Sequence, residues 1–432
     1  MVNIGILGGG LTGLTIANSL TCDFEILEKE SECGGLCRSL QQDGFTFDYG
    51  GAHIIFSRNE DSVEFMLEIL GENCVKGRRN NKVLFKGRPV KYPFENGLSE
   101  LPKEDCFECL YHYLKNPYGK PSNFKEWLYY TFGKGIAEKY LIPYNEKIWN
   151  YDTEKMSLHW VEGRIPKPPL EDVIKSAIGI ETEGYTHQLY FYYPKTGGIQ
   201  ALIKAMENRV SSKIRRNFEV SSVERGNDKW IVSSGKEEIE FDQLVSTIPI
   251  FDLISALDRV PEKIHKVLNS LRYNSLISVL LGIDQPELND VTAMYFPDKD
   301  FYPNRSGFPM NFSPYNVPKG KSSLIAEITA NKGDGVWELD DNQLIQHVIE
   351  GLHQRGIINQ STVCYSKVMR AKYAYVIYDL NYLEHIRVVR NYLAELGIIL
   401  CGRFAEFEYL NMDTCIERGR SLAKQLNSRF SD

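Results

Sequence analysis

Ile4-Gly5-Ile6-Leu7-Gly8-Gly9-Gly10-Leu11-Thr12-Gly13 is the stretch that decides the fold. Ile4 to Leu7 is an apolar run of strand length, and it leads straight into a G-x-G-x-x-G pattern. Leu14 to Leu20 then carry apolar positions at helical spacing, and a second strand-like run, Phe24 to Leu27, ends on Glu28. Strand, glycines, helix, strand and terminal acid in this order predict a dinucleotide-binding unit. Each residue has a mechanical reason. Gly8 makes the tight turn, Gly10 lets the backbone approach a pyrophosphate, and Gly13 lets helix and strand pack closely. The helix start at Leu11 and Thr12 offers unpaired N–H groups and a partial positive charge to that phosphate. Glu28, 20 positions after Gly8, stands where an acid accepts hydrogen bonds from a ribose.

The next residues narrow the dinucleotide. Glu30, Gly34, Gly35, Leu36, Cys37, Arg38 and Ser39 form an E-x-x-x-G-G-x-x-R-S pattern. This resembles the segment that large FAD-binding oxidoreductases add to the nucleotide fold. FAD is therefore the expected cofactor, with Gly35, Leu36, Arg38 and, further along, Val220 as part of its site.

At 432 residues the chain is too long for one simple core. Its 43% hydrophobic and 25% charged content are those of an ordinary globular protein. A net charge of -7 argues against a nucleic-acid partner. Nine cysteines present no zinc-ligand set, and a chain this size does not need disulfides, so no metal is expected and a reducing, cytoplasmic setting is the reading. The first strand begins so early that it leaves no room for a signal peptide, and no run of eighteen apolar residues predicts a membrane span. The 25 tyrosines exceed what a core needs and point to an aromatic-lined cleft.

The expected architecture is α/β, a Rossmann-type FAD-binding domain interrupted by an inserted mainly helical domain and an antiparallel β-sheet substrate domain. Residues 1–60 would be the first part of the FAD domain, 61–190 the mainly helical region, and 191–255 the second FAD part. Residues 256–385 would form the antiparallel sheet and 386–432 the third FAD part. Asp61 to Leu70, Lys103 to Leu114 and Asn123 to Tyr140 read as helices. Phe241 to Thr247 reads as one buried strand returning to the first sheet, and Leu276 to Ile283, Ala293 to Phe296 and Ser322 to Thr329 read as strands. No Ser/His/Asp set and no P-loop is present. Instead, aromatic and arginine clusters recur, and Gly50-Gly51 before His53 would let backbone approach a planar ring.

Those clusters carry a specific resemblance. Gly50-Gly51 with His53, Tyr92-Pro93-Phe94, Pro143-Tyr144-Asn145 with Trp149, and Trp160 to Arg164 appear in order. Tyr193-Pro194 with Gly197-Gly198, Tyr295-Phe296-Pro297, Arg305, Ser313 to Asn316, Tyr375, and Gly402-Arg403-Phe404 with Tyr409 follow. The chain resembles the eukaryotic-type UDP-galactopyranose mutases nearly end to end. The resemblance implies that Arg164 and Arg305 hold the two phosphates of a nucleotide sugar, with Tyr295, Tyr375 and Tyr409 hydrogen-bonding them. It implies that Tyr92, Phe94, Asn145 and Trp149 surround the uridine, and that His53 lies against the flavin. Arg403 would contact the FAD pyrophosphate, with Asn411 and Asp413 near the flavin end. The implied reaction interconverts pyranose and furanose forms through a bond between reduced FAD N5 and the sugar, without net redox, with NAD(P)H as a candidate reductant. A homo-oligomer is a further possibility.

The sequence also departs from that family. Glu95 stands where the family has glutamine beside the base, Gln188 where an asparagine contacts substrate, and Asn81 where a serine follows the reductant-binding arginine, here Arg79. The segment between Tyr409 and Asp413 is shortened. These differences bear on which sugar and base are taken. The alternative reading is an FAD-dependent oxidase of the protoporphyrinogen or amine oxidase type, which shares the fold. A third is a non-catalytic nucleotide-sugar binder.

Overall fold

The structure is a computed structural model and describes residues 2–161, 164–184 and 186–430. It opens with β1 (Asn3–Leu7), α1 (Leu11–Ser19) and β2 (Asp23–Leu27). β1 and β2 pair in parallel, Ile4 opposite Phe24 and Leu7 opposite Leu27. Later segments return to this sheet. Gln243–Ser246 pairs with the other side of β1, Ile399–Leu400 lies outside it, and Ile214–Arg215 flanks β2. All pairs in this five-stranded sheet are parallel, which is why its strands read as unbroken apolar runs: both faces are covered, and Ile4, Ile6, Leu7 and Ile26 are all buried.

α1 is buried from Leu11 to Ala17, because the helix Met412–Phe430 covers its outer side. The two helices approach closely at Gly419, where a Cβ would lie 3.0 Å from Thr15 Cγ2. The run Phe241 to Thr247, read as a single strand, is divided. Phe241 ends a three-stranded antiparallel meander opposite Trp230, and Gln243 begins the parallel strand. Between them the Asp242 carboxylate accepts from Asn3 N–H at 2.7 Å, which fixes the turn.

The helical region holds α2 (Lys103–Leu114), the helix Phe124–Ile136 and α3 (Leu170–Ala177). Phe124–Ile136 bends at Gly133, whose φ is 71° and whose Cβ would sit 2.3 Å from His112 O, so only glycine lets this helix cross α2. It runs through the π-helical turn Ala137–Leu141 into Ile142–Trp149. Cys106 and Cys109 form a C-x-x-C pair on α2, but Cys109 is fully buried and burial pushes its thiol up to about 12, so the pair serves packing. All nine cysteines are free, and among the described residues no group of three or more His, Cys, Asp or Glu is placed to hold a metal ion.

Residues 74–91 fall inside the stretch expected to be mainly helical, yet they form three strands. Cys74–Arg78 pairs with Tyr190–Pro194, while Asn81–Phe85 and Arg88–Lys91 join the large sheet. Each is only four or five residues long and carries lysine, arginine or glycine, so no alternation develops. The large sheet has seven strands and contains β3 (Arg272–Ile283), β4 (Ser322–Ala330) and β5 (Val363–Ile377). Its strands are antiparallel except where Ala293–Tyr295 meets Asn81–Phe85 in parallel. β5 is the longest strand and is an edge; Lys367, Arg370 and Lys372 on its outer half obscure its pattern in the sequence. Among the described residues no helix is long and apolar enough to cross a membrane.

Candidate functional site

The cofactor cradle follows from β1 and the start of α1. Gly8 has a φ of +100°, the left-handed turn that only glycine makes without strain. A Cβ at Gly13 would lie 2.1 Å from Gly8 O, so the helix must pack this tightly on the strand end. A Cβ at Gly10 would meet nothing within 4 Å, which leaves the backbone open to close approach. α1 has no side-chain cap and no acid in its first turn, so the N–H groups around Leu11, Thr12 and Gly13 face outward for an anion. Gly34 bridges to Gly10, and Gly35 lies over it with a φ of +56°. These features fit a dinucleotide.

Glu28 is buried, and its carboxylate accepts from Gly9 N–H at 2.7 Å and Glu30 N–H at 3.0 Å, which anchors the acid beside the glycine turn. Arg38 reaches Glu30 at 3.9 Å. Leu36 lies against Gly50, where a Cβ would be 2.1 Å from Leu36 O. Val220 follows Phe218, whose N–H donates to Glu28 O at 2.9 Å, and packs on the main core. Asn411 is exposed just before the last helix, and Asp413 in its first turn accepts a short hydrogen bond from Ser57 Oγ.

The second half of the site hangs from the large sheet. Arg305 and Glu327 are register partners on neighbouring strands and form a bidentate ion pair, Nη2 to Oε2 at 2.5 Å and Nε to Oε1 at 3.1 Å. Their side chains are 20% and 1% exposed. Burial works against the Arg305 charge, but the Glu327 carboxylate outweighs it and holds the guanidinium well above its ordinary pKa. Gly51 has a φ of +105°, and a Cβ there would lie 3.8 Å from Glu327 Oε2, 3.9 Å from Arg305 Nη2 and 4.0 Å from His53 Cε1. The Gly50-Gly51-His53 segment and the ion pair therefore share one spot. His53 is neutral, since burial first and the Arg403 and Arg305 guanidiniums next push it down to about 4. Among the described residues its Nδ1 is buried without a hydrogen-bond partner, as is Nε of Arg403.

Arg164 and Arg403 complete a cationic wall around Tyr409. Their guanidinium carbons lie 4.5 and 4.4 Å from the Tyr409 ring centre, and Arg403 also lies 5.4 Å from Tyr375. Arg164 donates to Tyr409 O, and Arg403 donates to Leu410 O and Ala374 O. Of the motif Trp160 to Arg164, Glu162 and Gly163 lie outside the described residues. The aromatic side forms two groups: Tyr375 to Tyr409 at 5.8 Å and Tyr409 to Trp149 at 5.7 Å in one, Tyr92 to Tyr295 at 4.8 Å and Tyr295 to Tyr144 at 5.4 Å in the other.

Not every expected residue faces this cleft. Phe94 is fully buried, stacked on Tyr140 at 5.0 Å and in a T-shaped contact with Phe85 at 5.5 Å, so it supports the wall from behind. Asn145 is occupied in holding Trp149: it accepts from Trp149 Nε1 at 3.1 Å and donates to Leu141 O at 2.7 Å. Arg79 donates to Gln188 Oε1 at 2.6 Å and lies 5.2 Å from the Phe56 ring. Two contacts of the site were missed in the sequence. Glu327 is the single charged residue within apolar β4, a signal that was readable. Asn81, read only as a departure beside Arg79, is buried and donates to Tyr295 Oη at 3.2 Å, fixing that phenol.

Comparison with known proteins fits this geometry. A family model described as a NAD(P)-binding Rossmann-like domain matches residues 6–69, and one described as flavin containing amine oxidoreductase matches residues 144–427. Coproporphyrinogen III oxidase of Bacillus subtilis (strain 168) is 20% identical over 97% of this chain and 96% of its own length. The chloroplastic protoporphyrinogen oxidase 1 of Spinacia oleracea is 19% identical over 82% of this chain and 71% of its own. Among solved structures, that of a reduced UDP-galactopyranose mutase superposes with a TM-score of 0.90 at 26% identity, covering 100% of this chain and 97% of that one. A putative protoporphyrinogen oxidase from Exiguobacterium sp. 255-15 superposes with a TM-score of 0.77 at 19% identity over 99% of both chains. FAD is the cofactor of this fold. With well over half of its length matched, the chain belongs to the flavin containing amine oxidoreductase family.

Proposed function

We propose that this enzyme is a nucleotide-sugar mutase that interconverts pyranose and furanose forms of UDP-galactose or a related nucleotide sugar. The observation that carries the reading is the wall of three guanidiniums, Arg164, Arg305 and Arg403, set among Tyr375, Tyr409 and Tyr295 beside Gly51 and His53. Guanidinium forks neutralise a diphosphate bidentately, and phenols add directed donors. In this reading Arg164 and Arg305 grip the diphosphate as it leaves and returns, and Glu327 fixes the Arg305 fork so that no side-chain ordering is needed at that moment. Trp149, held by Asn145, and Tyr92 flank the nucleoside. His53, neutral, lies against the ring without adding charge. The glycine turn, α1 and Glu28 hold FAD, which in its reduced form supplies an electron-rich ring nitrogen for chemistry at the anomeric carbon.

A second reading, a porphyrinogen-type oxidase, is favoured by the curated relatives, and substrate carboxylates would also suit arginines. The guanidiniums of Arg164 and Arg403 against Tyr409, with Arg305 paired to Glu327 nearby, favour a diphosphate over an apolar ring system. The test is to incubate dithionite-reduced, FAD-loaded protein with UDP-galactopyranose and a panel of nucleotide sugars, and to separate products chromatographically. The expected result is furanose–pyranose interconversion by the reduced protein and none by the oxidised protein. Oxygen consumption with a porphyrinogen, and no sugar product, would overturn the proposal.

A further inference from the structure

The helix Ile142–Trp149, which carries Asn145 and Trp149, ends against the large sheet, and the carbonyls of its last turn lack partners within the helix. Side chains of the sheet take two of them. Thr329 Oγ1 donates to Lys147 O at 2.8 Å, and Asn274 Nδ2 donates to Trp149 O. Lys147 makes a third link in the opposite direction. Its Nζ donates to Phe296 O at 2.9 Å and to Asp298 O at 2.7 Å, just beyond the strand Ala293–Tyr295. Each link lands on or directly beside a strand that carries part of the arginine and tyrosine wall. Phe296 follows Tyr295, the register partner of Arg305. Thr329 lies two positions from Glu327, on the same face of β4. Asn274 on β3 is the register partner of Tyr375 on β5.

Lys147 stands apart from the other two because an ammonium is costly to bury. It is half-buried, forms no ion pair among the described residues, and lies 5.9 Å from the Phe301 ring. Burial pushes it down to about 7, although the Asp298 and Asp300 carboxylates act to raise it. A methionine would fill the same path without that cost, but it could not tie two carbonyls beyond Tyr295 to the helix. The ring contact of Tyr144 with Tyr295 at 5.4 Å also joins the two segments, without the direction that a hydrogen bond gives. We propose that Lys147 is a positioning residue that fixes the distance between the nucleoside subsite at Trp149 and the diphosphate subsite at Tyr295 and Arg305. The inference rests on the mutase reading of the site. A ligand that spans both subsites gains from their fixed spacing, because its second half binds at a high effective concentration once the first is seated. A ligand that fills only one subsite gains nothing from it. Loss of Lys147 therefore weakens the spanning ligand and spares its halves.

The test compares reduced, FAD-loaded full-length protein with its Lys147→Met variant. Calorimetric titration gives the affinities for UDP, uridine and pyrophosphate separately, and turnover of UDP-galactofuranose gives kcat and KM. The expected result is UDP bound at least tenfold more weakly by the variant, with uridine and pyrophosphate each within twofold of wild type. KM should rise by at least tenfold while kcat stays within threefold. A variant that binds UDP as tightly as wild type would overturn the proposal, and so would one that loses uridine as much as UDP, which is the mark of a collapsed subsite. A wild-type protein that does not bind UDP would instead remove the mutase reading, and this inference with it. If Lys147→Met loses its flavin, Lys147→Gln is measured in the same way, and unchanged UDP affinity there counts against the role. Loss of flavin by both variants would make Lys147 a folding residue and would also end the proposal.

Discussion

The Arg305–Glu327 pair allows folding and function to be separated in one experiment. Arg305→Ala leaves the Glu327 carboxylate, 1% exposed, without its partner. Breaking a buried pair from one side costs about 3–5 kcal/mol, a large part of the roughly 5–15 kcal/mol that holds a protein folded. Replacing both members with apolar residues of similar size, as in Arg305→Met/Glu327→Leu, removes the unpaired charge and should recover most of that loss. Catalysis should not recover, because the diphosphate fork is gone in both variants; a drop of about 10²–10⁴ in kcat/KM corresponds to roughly 3–5 kcal/mol of transition-state stabilisation. Thermal unfolding followed by flavin fluorescence, with steady-state turnover of UDP-galactofuranose by reduced protein, reads both quantities. A double variant that turns over at the wild-type rate would refute the role of Arg305 at the diphosphate. An Arg305→Ala protein as stable as wild type would refute the energetics of the pair.

Glu95 is buried, and burial raises its carboxyl from 4.5 to about 7. Between those values the folded protein keeps a proton that the unfolded chain has released, so stability falls as pH rises through that window, by up to roughly 3 kcal/mol, and the loss is complete above it. Glu95→Gln should flatten this dependence and raise the urea midpoint at pH 8; an unchanged pH profile would remove the effect from Glu95. Gly10→Val should fold normally, since a Cβ there meets no protein atom, but weaken FAD at least tenfold by fluorescence titration, and full flavin content would argue against Gly10 as the point of close approach. Gly13→Ala should lose stability as well as FAD, because its Cβ has 2.1 Å to Gly8 O; a normal melting curve would show the packing to be wrong. Asn145→Ala should cost about 1–3 kcal/mol by unpairing Trp149 Nε1, and should raise KM more than it lowers kcat; an effect on kcat alone would contradict a positioning role.

Much of the cofactor half was readable because its constraints are local. The turn at Gly8, the close contact at Gly13 and the anchoring of Glu28 all arise within a few residues of one another in space and in sequence. The α/β class and the return of the strand after Phe241 followed from unbroken apolar runs. The substrate half was less readable because its contacts are distant in sequence. Asn81 fixes Tyr295 from 214 positions away, and Arg305 finds Glu327 only through the register of two strands. Residues 74–91 and β5 escaped for a different reason: short or edge strands with one charged face lack the alternation that marks a half-buried strand. Phe94 shows the opposite error, since its family motif suggested a cleft residue while its complete burial between Phe85 and Tyr140 makes it a support.

The fold alone does not choose among the chemistries found on it, because the flavin cradle is common property and only the opposite wall differs. In this chain that wall is cationic at one end and phenolic along its length, and its main cation is held by a carboxylate rather than left to adapt. An oxidase removes hydrogen from its substrate and has no leaving group to retain. A transferase whose leaving group must stay bound while the sugar rearranges gains from fixed counter-charges on that group, because every escape of the diphosphate ends the cycle. On the mutase reading, the rigidity of Arg305, imposed by Glu327 from the sheet, meets the second demand. The same reading gives the buried acid of β4 a purpose, where an apolar residue would have packed at lower cost.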